Sequence, residues 1–256
     1  MAINYIPLDK NKHKELKVGA HTHFEFAKSS HLAAATIKEF AQLAGSMPIV
    51  FIQDPATGNH HVVAMLGTEA NTNLYVVDGK WQGPYVPMNI NRYPFDVRPD
   101  GEKLGVFFDE NSDLVDAEGA QALFNENGEP SEFLNDRQQF LSELANSEMM
   151  TQKFVKQVVE LDLLESIEIN LNYESGQTRN VTGMLSINEK KLREVSDETI
   201  LEMHKNGFLG AIYASMLSLA QINRLIELSN KTEMPIRSLQ LRAASPANPE
   251  PEAPQL

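Results

Sequence analysis

Two groups of side chains carry the types and spacings on which chemistry could be built. In the first, His21, His23 and Glu25 stand two residues apart, so on an extended strand all three project from one face. With His60 or His61 supplying a further donor, imidazoles and a carboxylate make the ligand set of a metal-assisted enzyme. A cupin-type iron or manganese site, however, places its Glu well beyond the His-x-His pair, whereas Glu25 follows His23 by only two positions. Surface or capping histidines are the competing reading, because gathering three ligands at bonding distance around one ion is demanding.

The second group is the segment from Gly79 to Phe95, which holds the only Trp, two of the six Tyr and three of the thirteen Pro. Trp81, Tyr85, Tyr93 and Phe95 with Arg92 combine broad apolar rings, polar tips and a guanidinium on a backbone stiffened by proline. Such a loop can take a sugar, a ring or a peptide by stacking and hydrogen bonding. The alternative is that the rings cover the open end of a β-sheet while Arg92 pairs with one of many acids. The two roles are compatible.

Other chemistry is missing its residues. There is no G-x-S-x-G elbow, no Ser-x-x-Lys signature and no P-loop, and the glycines between 67 and 83 are too dispersed for a dinucleotide fingerprint. No motif calls for a cofactor. With 35 Asp and Glu, any glycosidase-like carboxylate pair chosen from sequence would be arbitrary. The absence of cysteine removes disulfides, thiolate zinc, iron–sulfur clusters and cysteine nucleophiles.

The elements that must position these groups follow from hydropathic period. Met47 to Gln53 and His60 to Leu66 are apolar runs around a Pro55/Gly58 turn, and read as a hairpin. Further strands are expected at Asn73 to Val77 and Gly105 to Phe108, and Thr36 with Glu39 has capping-box spacing for a short helix ending near Gly45. From Ser131 the period becomes helical: one helix carries Phe133, Leu134, Phe140, Leu141 and Leu144, and after Asn146-Ser147 a second carries Met150, Phe154, Val158 and Leu161. Ile167 to Tyr173 alternates strictly and pairs across Glu174 to Gln177 with Asn180 to Ile187 as a second hairpin. Ser196 opens a helix that Asn206-Gly207 closes, and a last long helix runs from about Phe208 to Leu228.

These features predict an α+β fold, with a β-rich N-terminal half packed against a helical C-terminal half and the hairpin at about 167–187 extending the sheet. One domain is expected over 1–241, followed by a proline-rich disordered tail, 242–256. The formal net charge of −13 and the lack of a basic run argue against nucleic acid as a partner and against anionic membranes. The longest nearly uncharged apolar run, Phe208 to Ala220, is too short to span a bilayer, and the start of the chain lacks the features of a secretory signal, so a cytoplasmic location is expected.

One resemblance covers nearly the whole chain outside the tail. Pro48-Ile49-Val50-Phe51, Ala64-Met65-Leu66-Gly67, Asn73-Leu74-Tyr75-Val76, Trp81, Tyr85-Val86-Pro87 and Arg92-Tyr93-Pro94-Phe95 occur in the order seen in the SapC family of bacterial proteins. Ala122-Leu123-Phe124, Gly183-Met184-Leu185, Asn188 to Leu192 and Gly207 to Ala214 continue it. Asn91 stands where relatives often carry a second Arg before Arg92. The resemblance implies a link to surface-layer biogenesis or ligand uptake, and brings no agreed catalytic residues. The resulting expectation is a non-catalytic accessory or binding protein that meets a protein or small-molecule ligand through Trp81, Tyr85, Arg92, Tyr93 and Phe95. The alternative is a metal-dependent enzyme of the cupin-like oxygenase class using His21, His23, Glu25 and His60.

Overall fold

The computed structural model describes residues 3–19, 23–101, 103–116 and 120–244. The chain opens with the short strands β1 (Tyr5–Pro7), β2 (Lys17–Val18) and β3 (Leu32–Ala34). The Thr36/Glu39 capping box then forms, with the Glu39 carboxylate accepting the Thr36 N–H at 3.0 Å. It starts a 3-10 turn, Ile37–Glu39, that runs straight into α1 (Phe40–Ala44). The first expected hairpin is present as β4 (Ile49–Gln53) and β5 (His60–Met65), in register from Ile49↔Ala64 to Gln53↔His60.

Of the strand expected at Asn73 to Val77, only β6 (Val76–Val77) forms, paired with β7 (Lys80–Trp81) around the left-handed Asp78 and Gly79. Asn73 is the reason. Its side chain accepts the Tyr75 N–H and donates to the Ala27 carbonyl, both at 2.9 Å, drawing the local backbone into a turn instead of a ladder. A single helical turn, α2 (Met88–Asn91), follows, and β8 (Phe95–Asp100) and β9 (Lys103–Asp109) join β1 in a three-stranded sheet of order β1-β9-β8. β10 (Gln121–Ala122) pairs with β2.

The two helices expected on either side of Asn146-Ser147 are one, α3 (Glu132–Glu160), capped by Ser131 accepting the Leu134 N–H at 3.1 Å. Asn and Ser in a helix cost only about 0.5 kcal/mol each, and burial on both sides outweighs that. Leu134 and Leu141 pack into a small core with Val18, Phe95 and Phe108, while Phe154, Val155 and Val158 enter the main core. α3 is therefore the rod that joins the two cores.

The second hairpin is β11 (Leu164–Tyr173) and β12 (Thr178–Ile187). Its pairing shifts between Ile167↔Met184 and Ile169↔Val181, so two residues of β12 face one of β11; Gly183, at φ +85, supplies this bulge. α4 (Glu189–Arg193) and α5 (Asp197–Lys205) lead to the left-handed Gly207. The expected helix from Phe208 to Leu228 is broken into α6 (Phe208–Ser218) and α7 (Ile222–Ser229) by a 3-10 turn at Leu219–Gln221. Ser215 and Ser218 donate back to the carbonyls of Ile212 and Ser215, and Ser218 Oγ also accepts the Ile49 N–H at 2.8 Å, pinning the break to the start of β4.

The last strand, β13 (Ile236–Ala243), continues two residues into the segment read as tail: Ala243 pairs with Ile167, and Ala244 N–H donates to Ser166 O at 2.8 Å. Residues 245–256 lie outside the described residues. The main sheet has the order β13-β11-β12-β4-β5-β3, antiparallel throughout, so the second hairpin does extend the first. α7 lies on β13, α6 on β12 and β4, and α3 on β5. The architecture is α+β.

Candidate functional site

The aromatic segment divides into an inner and an outer part. Trp81 leaves β7 and stacks on Tyr75 at 5.5 Å, with Phe24 tilted against it at 5.6 Å, and its indole N–H donates to the Tyr85 carbonyl at 2.7 Å. Gly83 permits this arrangement, since a Cβ there would lie 3.1 Å from the indole nitrogen and 3.3 Å from the Tyr75 ring. Tyr85 donates its phenol hydrogen to Glu39 Oε2 at 2.9 Å, and the Met88 N–H reaches the same oxygen at 2.8 Å. Glu39 is 1% exposed. Burial raises its pKa, against the opposing pull of these hydrogen bonds, and burial raises that of Tyr85 as well. Trp81 and Tyr85 thus bind the loop to α1 and the main core.

Arg92 is turned inward too. Its guanidinium meets Asp96 at 2.8 Å, and Arg98 takes the other oxygen of the same buried carboxylate, also at 2.8 Å. Phe95 is 1% exposed in the small core. Trp81, Tyr85, Arg92 and Phe95 are therefore not brought together around one cavity; each is used in holding the loop.

Tyr93 is placed differently. Its ring stacks on Phe26 at 4.1 Å and 18°, and its hydroxyl donates to Asp109 Oδ2 at 2.9 Å. Burial, followed by that contact with Asp109, pushes its pKa above the usual phenol value. The pair forms one wall of a cleft of about 360 Å³, whose other sides include Glu25, Asp109, Asn111 and Asp113. Asp109 is held by the N–H groups of Asn4 at 2.8 Å and Asn111 at 3.2 Å. His23 reaches Asp113 at 3.3 Å on the cleft's flank. Asp109, 2% exposed, is taken up by Tyr93, Asn4 and Asn111, so the carboxylates of Glu25 and Asp113, both partly exposed, are the charges this concavity can offer a cationic group beside the Tyr93–Phe26 stack.

The local backbone does not place His23 and Glu25 on one strand face. Glu25 does not continue a strand from His23; it begins a 3-10 turn, Glu25–Ala27, so the shared strand face required for the ligand set does not form. His23 is engaged by Asp113 and Glu25 by Lys28 at 3.4 Å. His60 sits on β5 opposite Gln53, beside a separate depression shared with His61, Gln152 and Lys156. His21 lies outside the described residues. Among the described residues no group of three or more His, Asp or Glu is arranged to hold a metal ion.

Phe26, Asp109 and Asp113 escape a reading of sequence alone. Phe26 comes from a 3-10 turn, Asp109 from the end of β9 and Asp113 from the turn that follows it, and the only local hint is the Phe24-Glu25-Phe26 alternation, which the 3-10 turn converts from a strand face into a corner. Among the described residues no helix is long and apolar enough to cross a membrane.

No curated protein and no solved structure matches the chain. The SapC family model matches residues 8–225, a span that contains the aromatic segment, most of both cores and the acidic cleft apart from Ile3. The chain belongs to the SapC family.

Proposed function

We propose that this protein is a non-catalytic accessory or binding protein, and that it holds a cationic group, an amine or guanidinium of a small molecule or peptide, in the cleft beside Tyr93. The observation that carries the reading is a cleft of about 360 Å³ lined by the stacked Tyr93–Phe26 pair together with the carboxylates of Glu25 and Asp113. A formal charge of −13 draws cations toward the protein and repels anions, and rings beside carboxylates select a charged head with an apolar flank. Family membership adds a role connected with surface-layer biogenesis or ligand uptake as the setting in which such binding is used.

The test is an NMR titration with arginine amide and with choline, using glucose and acetate as neutral and anionic controls. Both cations shift resonances of Tyr93 and Phe26 in the millimolar range and less strongly at high salt, while the controls do not. Asp113→Asn, at an exposed position that the fold does not need, weakens both at least about threefold. Cation shifts absent from the cleft, or equal in Asp113→Asn, overturn the assignment.

A further inference from the structure

We propose that the open end of β5, where it faces α3, is a strand-addition site that takes an extended peptide with a small apolar side chain at its centre. Hydrogen bonds at both ends of the β4–β5 ladder, Met65 N–H to Pro48 O and Asp54 N–H to Asn59 O, fix its alternation, so His61, Val63 and Met65 bond toward β4. His60, Val62 and Ala64 therefore aim their N–H and C=O groups the other way, toward β3. Ala33 pairs with Ala64, and the Ala35 N–H reaches Val62 O at 3.1 Å. The next pair in this register would be Ile37 with His60. It is not made, because Thr36 enters its capping box and the Ile37 N–H goes to Thr151 Oγ1 on α3 at 3.0 Å. Among the described residues the N–H and C=O of His60 and the N–H of Val62 are left without a backbone partner, although Val62 is 4% exposed. The outward carbonyl of Ala34 on β3 is, by contrast, closed by the Asn89 side chain at 3.1 Å.

Two depressions of about 180 and 530 Å³ adjoin along this edge and have His60, His61, Gln152 and Val155 in common, so strand and helix bound one trough. Its missing partners select the occupant. Two donors and one acceptor at strand spacing are matched by an extended backbone, whereas a helix has spent its backbone groups internally. A residue set opposite His60 projects its side chain on the face that Val62 shares, toward Val155, where a small apolar group is covered and a charge would be desolvated. The site is separate from the Tyr93 cleft and does not depend on it.

An NMR titration with acetyl-Ser-Thr-Val-Thr-Ser amide, uncharged so that the acidic cleft is not engaged, tests this. At millimolar peptide the amide resonances of His60 and Val62 shift, and their hydrogen exchange slows at least about fivefold. The same peptide N-methylated at its valine, which has lost the donor for His60 O, binds at least about fivefold more weakly. His60→Pro deletes one outward N–H without removing a bond to β4, as an edge position tolerates, and lowers affinity by a similar factor; His60→Thr, which keeps that N–H, stays within about twofold. Gln152→Trp, at an exposed helix position beside both depressions, closes the trough and abolishes the shifts, with the melting temperature within about 3 °C of wild type. No shift at His60 and Val62, shifts centred on β13 at the opposite edge of the sheet, or equal affinity for the N-methylated peptide overturns the proposal. Binding indifferent to both His60→Pro and Gln152→Trp does so too.

Discussion

Tyr85 donates its hydroxyl hydrogen to Glu39 at 2.9 Å, joining the aromatic segment to the capping box in front of α1. That carboxylate accepts from the Thr36 N–H, the Met88 N–H and the phenol together, so one buried side chain starts a helix and anchors a loop. Its capping-box spacing with Thr36 is visible in sequence; its contact with Tyr85 is not.

Glu39→Ala leaves those donors without an acceptor in the core, and lowers stability by about 2–4 kcal/mol in urea unfolding. A pH series separates charge from hydrogen bonding. Because burial raises this carboxyl's pKa in the fold, its contribution is complete below the unfolded-state value near 4.5 and is lost as pH climbs through the folded one. Glu39→Gln removes that titration, so the stability of wild type relative to the variant decreases as pH rises above about 4.5. A difference independent of pH would show that Glu39 titrates alike in both states.

Trp81, partly buried, packs on Tyr75 and Phe24 and is tied to the Tyr85 carbonyl. Trp81→Ala is expected to lower stability by about 3 kcal/mol, and Trp81→Phe by about 1 kcal/mol. The folded Trp81→Phe protein keeps its affinity for arginine amide at the Tyr93 cleft within about twofold. Retained stability in Trp81→Ala together with lost binding in Trp81→Phe would return the indole to the ligand surface.

Asp96 is buried and shared by Arg92 and Arg98. Removing one guanidinium leaves the other, so Arg92→Ala and Arg98→Ala each cost about 1 kcal/mol, whereas Asp96→Ala costs about 3 kcal/mol. The double arginine variant loses more than the two singles summed, because it leaves the carboxylate buried without a cation. Additive losses in a thermal-denaturation cycle would show that the arginines act separately.

Both hairpins, the Thr36/Glu39 cap and the Ser196 start of α5 were legible because each is encoded within one short contiguous stretch of chain. Alternation says which side of a strand is buried, and a turn residue says where the chain reverses. What period and propensity leave open is the partner. Asn146 and Ser147 look like a helix boundary, and only the two cores on which α3 rests carry the helix through them. Phe208 to Leu228 looks like one helix until Ser218 meets the Ile49 N–H, a contact between residues 169 positions apart.

Sequence alone determined the α+β class, the pairing within both hairpins, the family and the concentration of aromatic residues around Trp81 to Phe95. Tertiary structure decided which of those rings are tied into packing and which line a cleft. Trp81, Tyr85 and Phe95 went to cohesion and Arg92 to Asp96, while Tyr93 met Phe26 and Asp109 at a cleft that no local pattern announces. The physical reason is scale: local preferences differ by tenths of a kcal/mol per residue, whereas burying a ring or satisfying a buried carboxylate is worth about 1–3 kcal/mol, and those larger contributions depend on contacts between distant segments.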